Sequence, residues 1–227
     1  MSSSFYSSNP KFHIAVDCII FGFENGRLKL LLQKRNFEPH RGEWSLMGGF
    51  VQENEDVDAA AKRVLFELTG LTHIYLKQVG AFGSVGRDSG DRVVSVAYFA
   101  LVNITKVDEE LNHYNSAYWA NLDELPPLLF DHQDMVEAAI DKLKGMVGRK
   151  PVGFNLLPPL FTLTQLQQLY EAIWNSPIDK RNFRKRITEM PFIEKTALID
   201  KSTSKRGAAL YRFNYRAYKE DEYDFKI

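Results

Sequence analysis

Apolar positions along the chain change period several times, and each change marks an element. From His13 to Phe23 they are almost continuous. Ile14, Val16, Cys18 and Ile20 fall on one face of an extended strand, and His13, Ala15, Asp17 and Ile19 on the other. Glu24-Asn25-Gly26 interrupts the run and Arg27–Lys34 resumes it; Asn-Gly between two apolar runs predicts a hairpin. A helical period then holds from about Asp56 to Thr69, and Gly70 ends it, as an achiral residue just past a helix usually does. Ile74–Phe82 and Arg92–Asn103 read as strands around a polar, glycine-containing loop, Gly83–Asp91, and Ala117–Trp119 as a further short strand. After a turn at Asn121–Pro127, Asp131–Met146 carries Met135, Ala138, Ala139 and Leu143 on one side, the mark of an amphipathic helix.

Val147–Gly153 has Gly and Pro where both helix and strand would break, and reads as a linker. The expected division is therefore residues 1–148 and 149–227. Beyond it Thr162 or Thr164 can cap a helix whose apolar positions are Leu166, Leu169, Tyr170 and Ile173. A turn at Asn175–Ile178 leads to Asp179, an N-cap for a second helix, Lys180–Met190, with Phe183, Ile187 and Met190 as its buried stripe. Arg181, Asn182, Lys185 and Thr188 lie on the far side, flanked by Arg184 and Arg186. Phe192–Lys195 and Ala208–Phe213 read as strands joined by a basic turn with Lys201, Lys205, Arg206 and Gly207. Helix, turn, basic helix and basic hairpin resemble a winged helix-turn-helix, whose second helix enters the major groove while the wing reaches a flanking backbone or minor groove.

Charge sharpens that reading. The 227 residues carry no net charge, yet residues 1–148 hold 14 Lys and Arg against 20 Asp and Glu (net −6), and the remainder holds 15 against 9 (net +6). Such asymmetry points to a nucleic-acid-binding part. Lys180, Arg181, Asn182, Arg184, Lys185, Lys205 and Arg206 are the candidate DNA contacts: cations neutralise phosphates and release counterions, while Arg and Asn read guanine and adenine edges. The plain alternative is a solvated basic helix. Composition is otherwise that of a globular protein, 44% hydrophobic and 26% charged. No apolar run approaches the roughly 18 residues that span a bilayer, and the start lacks the pattern of a signal peptide, so no membrane association is expected. A single cysteine, Cys18, rules out an internal disulfide, agrees with a reducing cytosol and reads as a small buried strand residue.

The stretch Gly48–Leu71, GGFVQENEDVDAAAKRVLFELTGL, resembles the Nudix box, G-x5-E-x7-R-E-U-x-E-E-x-G-U, with U a bulky aliphatic residue. Gly49, Glu55, Arg63, Leu65, Glu67, Gly70 and Leu71 match; Val64 and Leu68 stand where two of the three helix carboxylates belong. The preceding QKRNFEPHRGEWSLMGGF matches the family's lead-in at Lys34, Arg35, Pro39, Gly42, Trp44, Gly48 and Gly49, with Met47 in place of proline. The resemblance implies an α/β/α sandwich over the first two-thirds of the chain. Family members hold Mg²⁺ or Mn²⁺ with the helix carboxylates, and such hard cations want several oxygen ligands. Here Val64 and Leu68, four apart on one helix face, leave Glu67 alone, so neither a catalytic residue nor a metal or other cofactor is expected. Glu55 and Arg63 fit the loop-bracing role of their family counterparts.

A Nudix domain ahead of a basic winged helix resembles the Nudix-related transcriptional regulators, the NrtR-like family, and is most similar to its Bacteroides-type AraR group through SSNPKFHIAVDCIIFGF, KRNFEP, GEWSLMGGFVQ and DKRNFRKR…SKRGAALYRFN. The class expected is thus α+β: an N-terminal Nudix sandwich followed by a C-terminal winged helix-turn-helix. The resemblance implies a cytoplasmic, homodimeric repressor on a double-stranded DNA operator, with the Nudix part as sensor of a small effector; in the AraR group that is L-arabinose, in other members ADP-ribose. For a pentose the candidate contacts are Asp17, Lys34, Trp44 and Glu67: polar groups for hydroxyls and an indole for the ring face. Asp17 equally suits a structural hydrogen-bond anchor, since a carboxylate inside an apolar strand must find donors, and Trp44 equally suits packing. A Mg²⁺-dependent pyrophosphohydrolase of ADP-ribose or a nucleoside diphosphate sugar is the rival from another class.

Overall fold

The computed structural model describes residues 6–70, 72, 74–104, 117–202, 206–218 and 225. Strands β1 (His13–Glu24) and β2 (Arg27–Lys34) form the predicted hairpin, antiparallel from Ile20↔Leu31 to Glu24↔Arg27. Asn25 and Gly26 both take positive φ, 53° and 76°, which the tight two-residue turn requires. β1 is the centre of a mixed sheet. Its first half pairs antiparallel with β4 (Met47–Phe50), and from His13 to Phe21 it runs parallel to β6 (Val93–Leu101), which in turn pairs with the edge strand β5 (Tyr75–Phe82). Beyond β2 lie β3 (Trp44–Ser45) and β7 (Ala117–Asn121).

Strand alternation sends β1 side chains to opposite faces, and a helix covers each. Val16, Cys18 and Ile20 pack with Ala60, Ala61, Val64 and Leu65 of α1 (Val57–Thr69). Ile19 and Phe21 pack with Met135, Val136, Ala139 and Leu143 of α2 (His132–Val147). This is the expected α/β/α sandwich. The ends of α1 are as the sequence predicts: Asp56 caps it by accepting from Ala59 N, and Gly70 (φ 67°) closes it in the left-handed region.

The stretch expected to be a linker is packed. Pro151–Leu156 forms a 3-10 turn in which Val152, Phe154 and Leu156 are buried. Those side chains belong to the same apolar cluster as Phe21 and Leu143 on one side and Leu166, Tyr170, Phe183 and Ile187 on the other. One core therefore runs from the sheet into the C-terminal module, and the Gly and Pro residues break regular structure without freeing the chain. The C-terminal module holds β8 (Phe161–Thr162), α3 (Leu163–Trp174), α4 (Lys180–Glu189), β9 (Ile193–Asp200) and β10 (Ala208–Phe213), its strands ordered β8-β10-β9. Among the described residues no helix is long and apolar enough to cross a membrane.

Candidate functional site

A cleft of about 170 Å³ opens where β1, β2, β4 and the start of α2 converge, with Asp17, Gln33, Arg35, Phe37, Arg87 and His132 among its walls. Its floor carries buried charge. Asp17 is 7% exposed, and its Oδ2 accepts from Ser95 Oγ on the parallel neighbour strand at 2.5 Å. Arg87 reaches in from the loop after β5 and is locked by Asp131 through Nη2–Oδ1 at 2.7 Å and Nε–Oδ2 at 2.8 Å. Burial works against the Arg87 charge, but the bonds to Asp131 and the nearby Asp17 outweigh it and raise its pKa. His132 Nδ1 accepts from Leu46 N at 3.2 Å, and its Nε2 lies 3.7 Å from Asp17 Oδ1. Burial pushes the His132 pKa below its ordinary value, with Asp17 the main opposing influence. The neutral ring consequently carries its proton on Nε2, facing Asp17. At the rim Arg35 stacks on Phe37, 3.9 Å from its ring centroid.

Of the four residues expected to bind a pentose, Asp17 alone lines this cleft. Lys34 and Trp44 are cross-strand partners that meet each other, with Nζ 5.0 Å from the indole centroid. Trp44 packs on the core beneath Tyr118. Gln33 and Arg35, the chain neighbours of Lys34, are the residues of this stretch that line the cleft. Glu67 lies on the outer side of α1, exposed and paired with Arg63 Nη1 at 3.2 Å. Arg63 also holds Glu55 at 2.7 and 3.0 Å and the Phe50 carbonyl at 3.0 Å, which ties the loop ahead of α1 to the helix. Sequence reasoning missed Arg87, Asp131 and His132. Arg87 sits in a loop set aside as polar, and the other two passed as an ordinary helix start. A larger hollow of about 490 Å³ between Tyr75, Leu101, Phe154 and Phe213 is mostly apolar, with Arg212 as its one charged wall among the described residues.

The second surface is the basic helix. Thr162 and Gln165 form a reciprocal capping box at the start of α3. Glu171 Oε1 accepts from Ile178 N at 3.0 Å and closes the inter-helix turn, where Asn175 takes φ 51°. Asp179 then caps α4 through Asn182 N at 2.7 Å. Phe183 and Ile187 are buried, leaving Arg181, Asn182, Lys185 and Arg186 exposed on one continuous face and Lys180 exposed at the helix start. Arg184 is half-buried and donates to Thr164 Oγ1 at 3.2 Å, so it is tied to α3 and does not stand out with the others. Arg206 is exposed at the strand turn; Lys205, like Leu71 of the Nudix box, lies outside the described residues.

Known proteins share both halves. Residues 11–139 match the Nudix domain model and residues 153–213 the NrtR DNA-binding winged helix domain. The chain is 36% identical over 216 residues to the ADPR responsive transcriptional repressor NtrR of Acinetobacter baylyi, covering 93% of this chain and 86% of that protein. The crystal structure of Shewanella oneidensis NrtR complexed with a 27mer DNA superposes with a TM-score of 0.81 at 28% identity, covering 94% of this chain and 97% of that one. The NUDIX domain of the same protein, complexed with ADP ribose, gives 0.50 at 26% identity, covering 63% and 99%. Two adjoining domain matches and near full-length likeness lead to one statement: the chain belongs to the NrtR family, in which a Nudix domain is joined to a DNA-binding winged helix.

Proposed function

We propose that the protein is a homodimeric, cytoplasmic transcriptional repressor that reads operator DNA with α4 and the wing and is controlled by a sugar-bearing effector in the Asp17–Arg87–His132 cleft. The observation that carries this reading is the shared core: α2 begins in the charged cleft at Asp131 and His132, and near its C-terminal end the Lys144 carbonyl accepts from Trp174 Nε1 of α3, the helix that supports α4, at 3.3 Å. An effector that prefers one arrangement of that core shifts DNA affinity by its differential binding free energy. A second copy is needed because one helix in one groove gives little specificity, and two-fold operators bind two.

Two effectors remain. ADP-ribose comes first, supported by the likeness to the ADPR responsive repressor of Acinetobacter and to the Shewanella NUDIX domain complexed with ADP ribose. A free pentose, L-arabinose, is the second, supported by the cleft's small volume, about 170 Å³, and by a floor whose Arg87 is already paired with Asp131. The residue-level DNA contacts proposed are Lys180, Arg181, Asn182 and Lys185 on α4, with Lys205 and Arg206 on the wing.

We further propose that the Nudix half binds without hydrolysing. A Mg²⁺ ion needs near-octahedral oxygen ligation, and the residues do not fit it. Val64 is buried in the core, Leu68 packs beside it, Glu67 is engaged by Arg63, and Glu55 is doubly bonded to the same guanidinium. The test is a gel shift on a selected DNA pool with ADP-ribose or L-arabinose added. Loss of the shifted band with either one supports the reading. Rapid Mg²⁺-dependent turnover of ADP-ribose, abolished by Glu67→Gln, overturns it in favour of a hydrolase.

A further inference from the structure

Asp17 is built as a receptor for hydroxyl groups. Ser95 Oγ makes the one hydrogen bond its carboxylate accepts among the described residues. Two more donors are held just out of reach: His132 Nε2 at 3.7 Å from Oδ1 and Arg87 Nη2 at 3.8 Å from Oδ2. Hydrogen bonds of these types close at about 2.7–3.2 Å. Neither donor is free to swing in, because Asp131 fixes the guanidinium and Leu46 N fixes the imidazole. The space beside Oδ1 is kept open by Gly48, where a Cβ would overlap that oxygen.

A buried carboxylate between two fixed N–H donors suits a pair of adjacent hydroxyls. Each hydroxyl donates to the carboxylate and accepts from the neighbouring donor, satisfying all three protein groups at once. A phosphate does not suit: it would face the Asp17 carboxylate, with Asp131 behind the guanidinium, and like charges repel. The cation available to an anionic group is Arg35 at the rim, beside Phe37.

Resting on the sugar-effector reading above, we infer that the effector enters sugar-first and seats a vicinal diol on Asp17, between Arg87 and His132. Any diphosphate and base it carries remain at the rim on Arg35 and Phe37. Asp17, Arg87 and His132 thus select for a pentose diol, and the rim separates a free sugar from a nucleotide-linked one.

The experiment is isothermal titration of the full chain, wild type and Asp17→Asn, with L-arabinose and its 2-, 3- and 4-deoxy forms, and with ADP-ribose, its 2″- and 3″-deoxy forms and ADP. Two adjacent hydroxyls of whichever parent binds should each cost roughly tenfold or more in affinity when removed, about 1.4 kcal/mol per tenfold. Those costs should vanish in Asp17→Asn, which itself binds the parent at least tenfold more weakly. The deoxy series in wild type stands even if Asp17→Asn does not fold. Deoxy ligands that all bind like the parent, an unchanged affinity in Asp17→Asn, or ADP binding as tightly as ADP-ribose each overturn the inference while leaving the repressor reading in place. Failure of both parents to bind wild type removes the sugar-effector reading and this inference with it.

Discussion

Arg87 and Asp131 are 44 residues apart in sequence and meet in a bidentate pair of 2.7 and 2.8 Å. The pair joins the loop over the cleft to the first turn of α2, and its side chains are 4% and 16% exposed. Removing one partner of a buried pair strands the other's charge, which costs about 3 kcal/mol or more. Arg87→Ala and Asp131→Ala should each lower unfolding free energy by about that amount in urea titration. The double variant should lose clearly less than the sum, because it leaves no orphan charge. Additive losses would mean the two groups are not coupled.

Gly48→Ala tests the cleft without touching its chemistry. The added Cβ would overlap Asp17 Oδ1 and crowd the Val16 carbonyl at 3.0 Å, so the carboxylate must turn away from His132. Effector binding should fall by tenfold or more while affinity for operator DNA stays within about twofold, since the recognition helix is packed elsewhere. Calorimetry and fluorescence anisotropy on one preparation measure both. Equal losses of both would indicate general unfolding, and no loss of either would place the effector away from Asp17.

The architecture was readable because it rests on local signals: strand alternation through Val16, Cys18 and Ile20, the Asn25-Gly26 turn, Asp56 and Gly70 at the helix ends, and Thr162 and Asp179 as caps. The cleft was readable only at Asp17, where a carboxylate broke an apolar strand. Asp17 meets Ser95 across 78 residues, and Leu46 meets His132 across 86. Periodicity carries no information about such meetings. Lys34 was chosen for its place in a motif, and the cleft is lined by its neighbours Gln33 and Arg35 where the chain leaves β2. At the expected linker Gly and Pro report backbone geometry, whereas burial of Val152 and Phe154 is a tertiary fact.

The basic face of α4 should act through phosphates and base edges, which salt can separate. Arg181→Ala and Lys185→Ala remove exposed cations on a helix held by Phe183 and Ile187, so folding should be unaffected. Each lost phosphate contact should reduce the slope of log K against log salt by about 1. Arg184→Ala should behave differently. That guanidinium is bonded to Thr164 and half-buried, so its loss should loosen the α3–α4 junction and lower thermal stability more than the salt slope. Anisotropy titrations at several salt concentrations, paired with melting curves, distinguish the two outcomes. A slope unchanged in Arg181→Ala and Lys185→Ala would remove α4 from the interface.

His132 gives the protein a stability that depends on pH in a definite direction. Burial lowers its pKa from the ordinary 6.5, and the groups facing it divide: Asp17 and Asp131 favour the proton, Arg87 and Arg35 oppose it. In the window between the lowered folded value and 6.5, the unfolded chain binds more protons than the folded one, so unfolding free energy rises with pH. The contribution is complete above 6.5 and is lost progressively as pH falls below it. His132→Gln keeps an acceptor for Leu46 N and removes the titration, so its stability should fall less than the wild type's between about pH 6.5 and 5. Urea unfolding at half-unit pH steps measures the difference, and parallel curves would show that the ring does not titrate on unfolding. Protonation also puts a hydrogen on Nδ1, opposite the Leu46 N–H it now accepts from at 3.2 Å. The ring must then turn or move off, and the donor it presents to Asp17 goes with it. Effector affinity should therefore hold through that window and weaken only as pH falls through the lowered folded value, because one imidazole both supports the floor and faces the ligand.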